Sequence, residues 1–376
     1  MTLLKKLGFL WSYSVLAVIV GGYYLGGPAW TLAGIVYVYA IVPLLDSLLG
    51  EDHDNVPHDQ FDALMNDRYF DVIVYSFVYL QYALLLWGGY VLVNDGLALW
   101  QKIALTYSIG LFGGTIINVS HELIHRSSRV ARFHANMALA SVCYMHWGLE
   151  HVQGHHRHVA TPHDPATARR GQSLYAFWWQ SVVGGYRSAW QIQARLLAKE
   201  GKPFWSRAND LLWFAGWPVL LCAGLVGTFA LWLGTVAWVA IPLFFVGQSI
   251  VAILLLESVN YIEHYGIMRA ELPAAGQTVR YERVNPLHSW NASQIVSNFV
   301  LFQLQRHSDH HAYAARPYQV LRHFDESPQL PHGYARMILI AMVPPLWFSL
   351  MDARLDTWKA QAVNAEQIKT VVQQFA

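Results

Sequence analysis

Ile103 to His125 reads IALTYSIGLFGGTIINVSHELIH, a run that is uncharged as far as Ser120 and passes without a break into two histidines four residues apart. About 20 apolar residues cross the hydrocarbon core of a bilayer, so the run predicts a membrane helix that ends in a histidine pair. Working outward, further uncharged stretches run from Leu7 to Leu45, Val72 to Asn94 and Leu211 to Leu256. The first and last are long enough for two crossings each; Gly26-Gly27-Pro28 divides the first and Gly234-Thr235 the last. Composition agrees: 55% of the 376 residues are hydrophobic and 13% are charged, about half the ~25% charged share of soluble domains.

The expected fold is therefore an all-α integral membrane protein with six transmembrane helices in three hairpins, at approximately 8–25, 29–49, 71–94, 98–119, 211–233 and 236–258. With the N-terminus in the cytoplasm, Lys102 is the only one of 25 Lys and Arg on the far side, which is the asymmetry the positive-inside rule asks for. Both termini then face the cytoplasm, and the segments 120–210 and 259–351 form a cytoplasmic helical cap. Lys5-Lys6 and the apolar run after it lack a small-x-small cleavage site, so that run is read as the first helix and not as a signal peptide.

Within the cap, Phe133–Trp147 predicts a buried or half-inserted helix, and Ser173–Lys199, with three Trp beside basic residues, a helix in the headgroup region. Met337–Met351 contains Pro344-Pro345, which favours a monotopic or re-entrant segment. Residues 1–351 are expected to form one domain and 352–376 a polar tail or linker. A net charge of +1 with no basic run argues against nucleic-acid binding. Cys143 and Cys222 are the only cysteines, so the chain carries neither a disulfide framework nor an iron-thiolate site.

The chemistry lies in the histidines, because neutral imidazole is the commonest metal ligand. Three dense groups stand out: His121 and His125; His151, His155 and His156; His307, His310 and His311. On a helix, His121 and His125 share a face and can grip one ion, and His151 and His155 repeat that spacing. Each adjacent pair, His155-His156 and His310-His311, diverges by about 100° on a helix and so can reach two metals. His264, in Asn260-Tyr261-Ile262-Glu263-His264-Tyr265-Gly266, leaves the sixth helix on the same side and makes nine. Asp46, Glu122, Glu150, Glu263 and Asp309 are candidates to orient these imidazoles. The other histidines, at 53, 58, 134, 146, 158, 163, 288, 323 and 332, are read as surface or hydrogen-bonded residues.

His121-Glu122-Leu123-Ile124-His125 also satisfies the H-E-x-x-H motif of zinc proteases. An intramembrane protease of that kind needs one further protein ligand and leaves most of the clustered histidines idle. An all-nitrogen dinuclear site of redox-capable metal uses all nine.

Taken together, these boxes with Val159 to Ala166, Leu304 to Ala312, Asn260 to Gly266 and Pro43 to Asp52 resemble the membrane alkane hydroxylases (alkane 1-monooxygenases). Three histidine boxes fit the wider superfamily of membrane desaturases and hydroxylases; Asn-Tyr-Ile-Glu-His-Tyr-Gly and Leu-Gln-Arg-His are more specific. Arg126 is a departure, since Lys is expected there. The resemblance implies two iron ions in a non-haem di-iron centre, molecular oxygen as co-substrate and linear alkanes taken from the bilayer. It also implies a bacterial inner membrane and a rubredoxin donor with its reductase, the rubredoxin being separate or fused beyond Ala376. A fatty-acyl desaturase with the same metal chemistry is the nearest alternative, and the zinc protease a more distant one.

Overall fold

The computed structural model describes residues 1–233, 237–273, 279–361 and 364–374. Among the described residues, six helices are long and apolar enough to cross a membrane: α1 (Leu3–Gly26), α2 (Pro28–Leu49), α3 (Arg68–Asn94), α4 (Leu99–Ile124), α5 (Asp210–Leu231) and α6 (Ala237–His264). The first hairpin turns where expected, with Gly27 at φ +71° and Pro28 opening α2, a conformation that glycine adopts without the Cβ penalty. The expected Gly234-Thr235 break lies outside the described residues. Asp67 starts α3 by accepting from the Tyr69 amide at 3.0 Å, which satisfies one of the amides a helix start leaves unpaired.

The helix that opened the sequence reading is the central one. In α4, 83% of the most apolar window is buried, against 22–44% in the other five. Its small residues explain the position: a Cβ on Gly110 would lie 2.5 Å from Val251 Cβ and 2.8 Å from the Gln248 carbonyl oxygen of α6. Small residues let two membrane helices approach closely, where van der Waals packing holds them together. This contact sets the cap ends of α4 and α6 side by side. Both helices continue past the expected membrane spans, which end at 119 and 258, as the expected helix ending in a histidine pair requires for α4, and they carry His121 and His264 in their last turns.

The cap joins helices by long irregular segments, with a two-residue ladder pairing Glu271 with Tyr281 and Leu272 with Arg280 among the described residues. The expected helix over 133–147 is divided into Arg129–Ala140 and Met145–Glu150. Ser141 ends the first part by donating its hydroxyl to the Ala138 carbonyl at 2.6 Å, and Cys143 turns the chain at φ +55°. Ser173 caps a single long helix, Leu174–Lys199, whose Trp179 is 75% exposed. Pro344-Pro345 separates Tyr334–Ala341 from Pro344–Ala360. The second of these crosses the expected boundary at residue 352, and it buries Leu355. Ile368 is likewise buried, against Leu287 and Phe324, so this part of the tail packs on the cap and is not a free linker.

Candidate metal centre

The nine clustered histidines converge into two groups. His121, His125, His151, His156 and His310 bring one nitrogen each within 4.8 Å of one another, and His155, His264, His307 and His311 do the same. In the group of five, His151 Nε2 lies 3.2 Å from His125 Nε2 and 3.0 Å from His156 Nε2, which is 3.2 Å from His310 Nε2. In the group of four, His307 Nε2 lies 3.2 Å from His264 Nε2 and 2.9 Å from His311 Nε2, and His155 Nε2 is 3.3 Å from His311 Nε2. The groups abut: the His156 and His311 ring centroids are 4.6 Å apart.

Local backbone geometry decides the grouping. The expectation that His151 and His155 act on one ion fails because His151–His155 is a π-helical turn. Bonds of the i→i+5 kind widen the turn, so that His156, and not His155, shares the face of His151. His155 swings to the other group. His307 and His311 keep α-helical spacing and stay together, while His310 reaches across to the group of five. The adjacent pairs do divide between the groups as their angular divergence requires.

Burial keeps these rings neutral. It lowers the pKa of His151, His156, His307, His310 and His311 well below the usual imidazole value, with neighbouring imidazoles adding to the effect. His125 is pushed down to about 4 for the same reasons. Burial also acts against a charge on His155, but the Asp164 carboxylate outweighs it and the net shift is upward. A set of neutral nitrogens offers lone pairs aimed inward, and His121 Nε2 is buried with no hydrogen-bond partner among the described residues. That donor set fits divalent transition-metal ions of the kind imidazole prefers.

Comparison with known proteins bears on which chemistry the centre serves. Residues 98–341 match the fatty acid desaturase family. The alkane 1-monooxygenase of Acinetobacter baylyi is 41% identical over 324 residues, covering 86% of this chain and 76% of that protein. The alkane 1-monooxygenase 2 of Pseudomonas aeruginosa is 40% identical over 365 residues, covering 95% and 94%. The chain belongs to the alkane 1-monooxygenases. A xylene/toluene monooxygenase hydroxylase component from Pseudomonas putida is more distant, 29% identical over 66% of the chain and 63% of that protein.

In this alkane 1-monooxygenase, the five acids expected beside the histidines have different fates. Glu263 reaches the centre: its Oε2 lies 3.2 Å from His307 Nε2, and its Oε1 accepts from the Tyr334 hydroxyl at 2.7 Å. Glu122 is committed elsewhere, accepting from Arg126 Nη2 at 3.0 Å and from the Tyr318 amide at 3.1 Å. It is not available as the water-activating base that a zinc protease requires. Glu150 accepts from Ser188 at 3.0 Å, and burial with the nearby Asp164 charge pushes its pKa up to about 7. Asp46 accepts from the Ser297 amide and hydroxyl. Asp309 accepts from Arg322 and Arg316, anchoring the third histidine helix.

Sequence reading missed Asp164, although it lies in the Val159 to Ala166 stretch that carried the resemblance. Its Oδ2 accepts from His155 Nδ1 at 2.9 Å and from Thr167 Oγ1 at 2.6 Å, and its Oδ1 from the Ala166 amide at 3.0 Å. That bond fixes the tautomer and leaves His155 Nε2 as the free donor. The signal was present in the two residues' nine-residue spacing but has no regular period to betray it. The family's Gln-Arg before the third box also has a structural role. Gln305 accepts from the Tyr334 amide, while Arg306 donates to the carbonyls of Leu321, Asp52 and Asp54 at 2.7, 3.0 and 3.1 Å. Just upstream, Phe302 and Gln303 are both left-handed, at φ +54° and +53°, strain of the sort found at functional sites.

Of the histidines set aside, His134 is hydrogen-bonded to Tyr79 and the Val130 carbonyl, and His288 to Glu282. His53 and His323 approach Asp325 closely enough to suggest a third group. Their rings, however, stack at 4.2 Å with an 18° interplanar angle, so a metal in the plane of one would lie out of the plane of the other.

Proposed function

We propose that this membrane enzyme hydroxylates linear alkanes at the terminal carbon, consuming O2 at a di-iron centre held by the two histidine groups. The balanced reaction takes an alkane, O2, two electrons and two protons to a 1-alkanol and water. The observation that carries the reading is the convergence of nine histidines, seven buried and two half-buried, into groups of five and four, in a chain about 40% identical to alkane 1-monooxygenases over most of its length. Iron bound there would supply redox-active oxygen chemistry, which an unactivated C–H bond demands and zinc cannot provide.

His121, His125, His151, His156 and His310 would hold one iron, and His155, His264, His307 and His311 the other. Glu263, aimed at His307, adds an oxygen donor beside the second. Asp164 fixes the His155 ring. Asp46, Glu122, Glu150 and Asp309 act at one remove, by tying down the segments that present the histidines. Burial of the whole set excludes bulk water from the reacting centre, and α4 and α6 deliver it at the membrane boundary, where an apolar substrate can arrive from the bilayer. The catalytic unit spans residues 1–351, with the C-terminal helices packed onto it. The Lys and Arg distribution supports histidines and both termini on the cytoplasmic side, and the bacterial relatives support a place in a bacterial inner membrane. The likeness to alkane hydroxylases makes a rubredoxin, separate or fused, with its reductase the source of electrons, and Cys143 and Cys222 supply no iron-thiolate set in its place.

Purified protein in lipid nanodiscs, given rubredoxin, its reductase and a linear alkane under 18O2, should release 18O-labelled 1-alkanol. An alkene product would favour the desaturase, and peptide cleavage with one zinc per chain the protease.

A further inference from the structure

On the cap, a groove of about 660 Å³ opens beside the centre, with Asp164 and Thr167 in its wall and Arg169, Arg187 and Lys359 at its rim. Asp164 is 3% exposed, and its other side meets His155 Nδ1 at 2.9 Å. One carboxylate therefore separates this solvent-open groove from a histidine of the centre. Arg170, which also lines it, is held by Asp356 at 2.7 and 2.8 Å. Arg169, Arg187 and Lys359 are exposed and form no ion pair among the described residues. The remaining ionisable group of the groove wall is the exposed His163.

We propose that this groove is where an acidic one-electron carrier protein docks, with Arg169, Arg187 and Lys359 steering it and the Asp164–His155 hydrogen bond forming a bonded route inward. The proposal rests on the alkane hydroxylase reading and gives its electron donor a place. Two dockings serve one turnover. At each, the reduced carrier loses one electron to the centre and leaves oxidised; the two electrons, with two protons from water, reduce to water the oxygen atom that does not enter the alkane. Unpaired cations at the rim raise the encounter rate with an acidic partner without contributing much to the final complex. Their effect should fade with salt, because exposed charges are screened beyond about 8 Å at physiological ionic strength.

The test uses the iron-loaded full chain in nanodiscs of neutral lipid, with rubredoxin as carrier. A triple variant, Arg169→Glu, Arg187→Glu and Lys359→Glu, should raise KM for rubredoxin roughly tenfold or more at low salt, and the gap should narrow at high salt. Single-turnover hydroxylation by protein reduced with dithionite under anaerobic conditions, freed of excess reductant and then given O2 and alkane, needs no docking and should be unchanged. Arg129→Glu with Arg132→Glu, on exposed residues outside the groove, should leave KM for rubredoxin as it was. An unchanged KM in the triple variant overturns the proposal. So does an equal loss with both reductants, which would place these residues in support of the centre, or an effect that appears only with anionic lipid, which would make them headgroup contacts. If neither rubredoxin nor prior reduction by dithionite yields hydroxylation in the parent protein, it is the alkane hydroxylase reading that fails.

Discussion

Asp164→Asn isolates one hydrogen bond of the centre while preserving shape. In the parent protein, Asp164 Oδ1 accepts from the Ala166 amide and Oδ2 from both Thr167 and His155. Asparagine can keep its oxygen on the Ala166 amide only by turning its NH2 toward His155 Nδ1, so that donor meets donor. Two escapes exist. The amide can flip and abandon Ala166, or His155 can move its proton to Nε2 and lose the lone pair it offers the metal. Either forfeits a hydrogen bond to a charged group, worth about 1.5–3 kcal/mol. At 1.36 kcal/mol per tenfold change, that is roughly 10- to 100-fold, the same range by which mutations of groups behind metal ligands lower affinity or activity. Iron retention against a chelator should fall by this factor, and alkane turnover with it, while the melting temperature of the iron-free protein stays near that of the parent. Iron retention and turnover within about twofold of the parent would refute the reasoning.

Arg126→Ala should destabilise the protein by about 3–5 kcal/mol, because it strips the cation from Glu122, whose side chain is only 11% exposed; equilibrium or thermal unfolding in detergent checks this, and Arg126→Lys should cost less. Acidification should destabilise the iron-free protein between about pH 6.5 and 4. Below 6.5 the unfolded chain takes up protons that buried His125, with its pKa near 4, and its neighbours refuse. His155, raised by Asp164, and Glu150, raised by burial to about 7, oppose this trend but are outnumbered by the lowered imidazoles; thermal melts across that range read the slope, and a flat profile would contradict the burial argument. Alanine at His155, His264 or His311 should lose iron and activity together, whereas His332→Ala should retain both, as measured by metal analysis of each purified variant.

The membrane architecture was legible because hydropathy and charge act over whole helices: Gly26-Gly27-Pro28 turns the first hairpin, and the histidine pairs lie at the ends of uncharged runs. Helix ends inside the cap were less legible: the single helix expected over 133–147 is divided between Ala140 and Met145, where Cys143 takes a positive φ that hydropathy does not announce. The histidine set could be read from density and spacing, yet its division could not. The π turn at His151–His155 reassigns His155, and nothing in a periodicity of 3.6 announces an inserted residue. The acids were the least legible, because adjacency in sequence says little about direction on a helix. Glu263 faces the centre while Glu122 turns to Arg126, and Asp164 was found only once the chain folded it under His155. Arg126, the departure from the expected Lys, makes use of its fork, reaching Glu122 at 3.0 Å and Asp71 at 2.5 Å at once.

If the nine histidines make two adjacent iron sites, an anomalous difference map of iron-loaded protein, collected across the iron edge, should show two iron peaks, one among His121, His125, His151, His156 and His310 and the other among His155, His264, His307 and His311. A single peak, or a zinc signal confined to His121 and His125, would rule out the two-iron site.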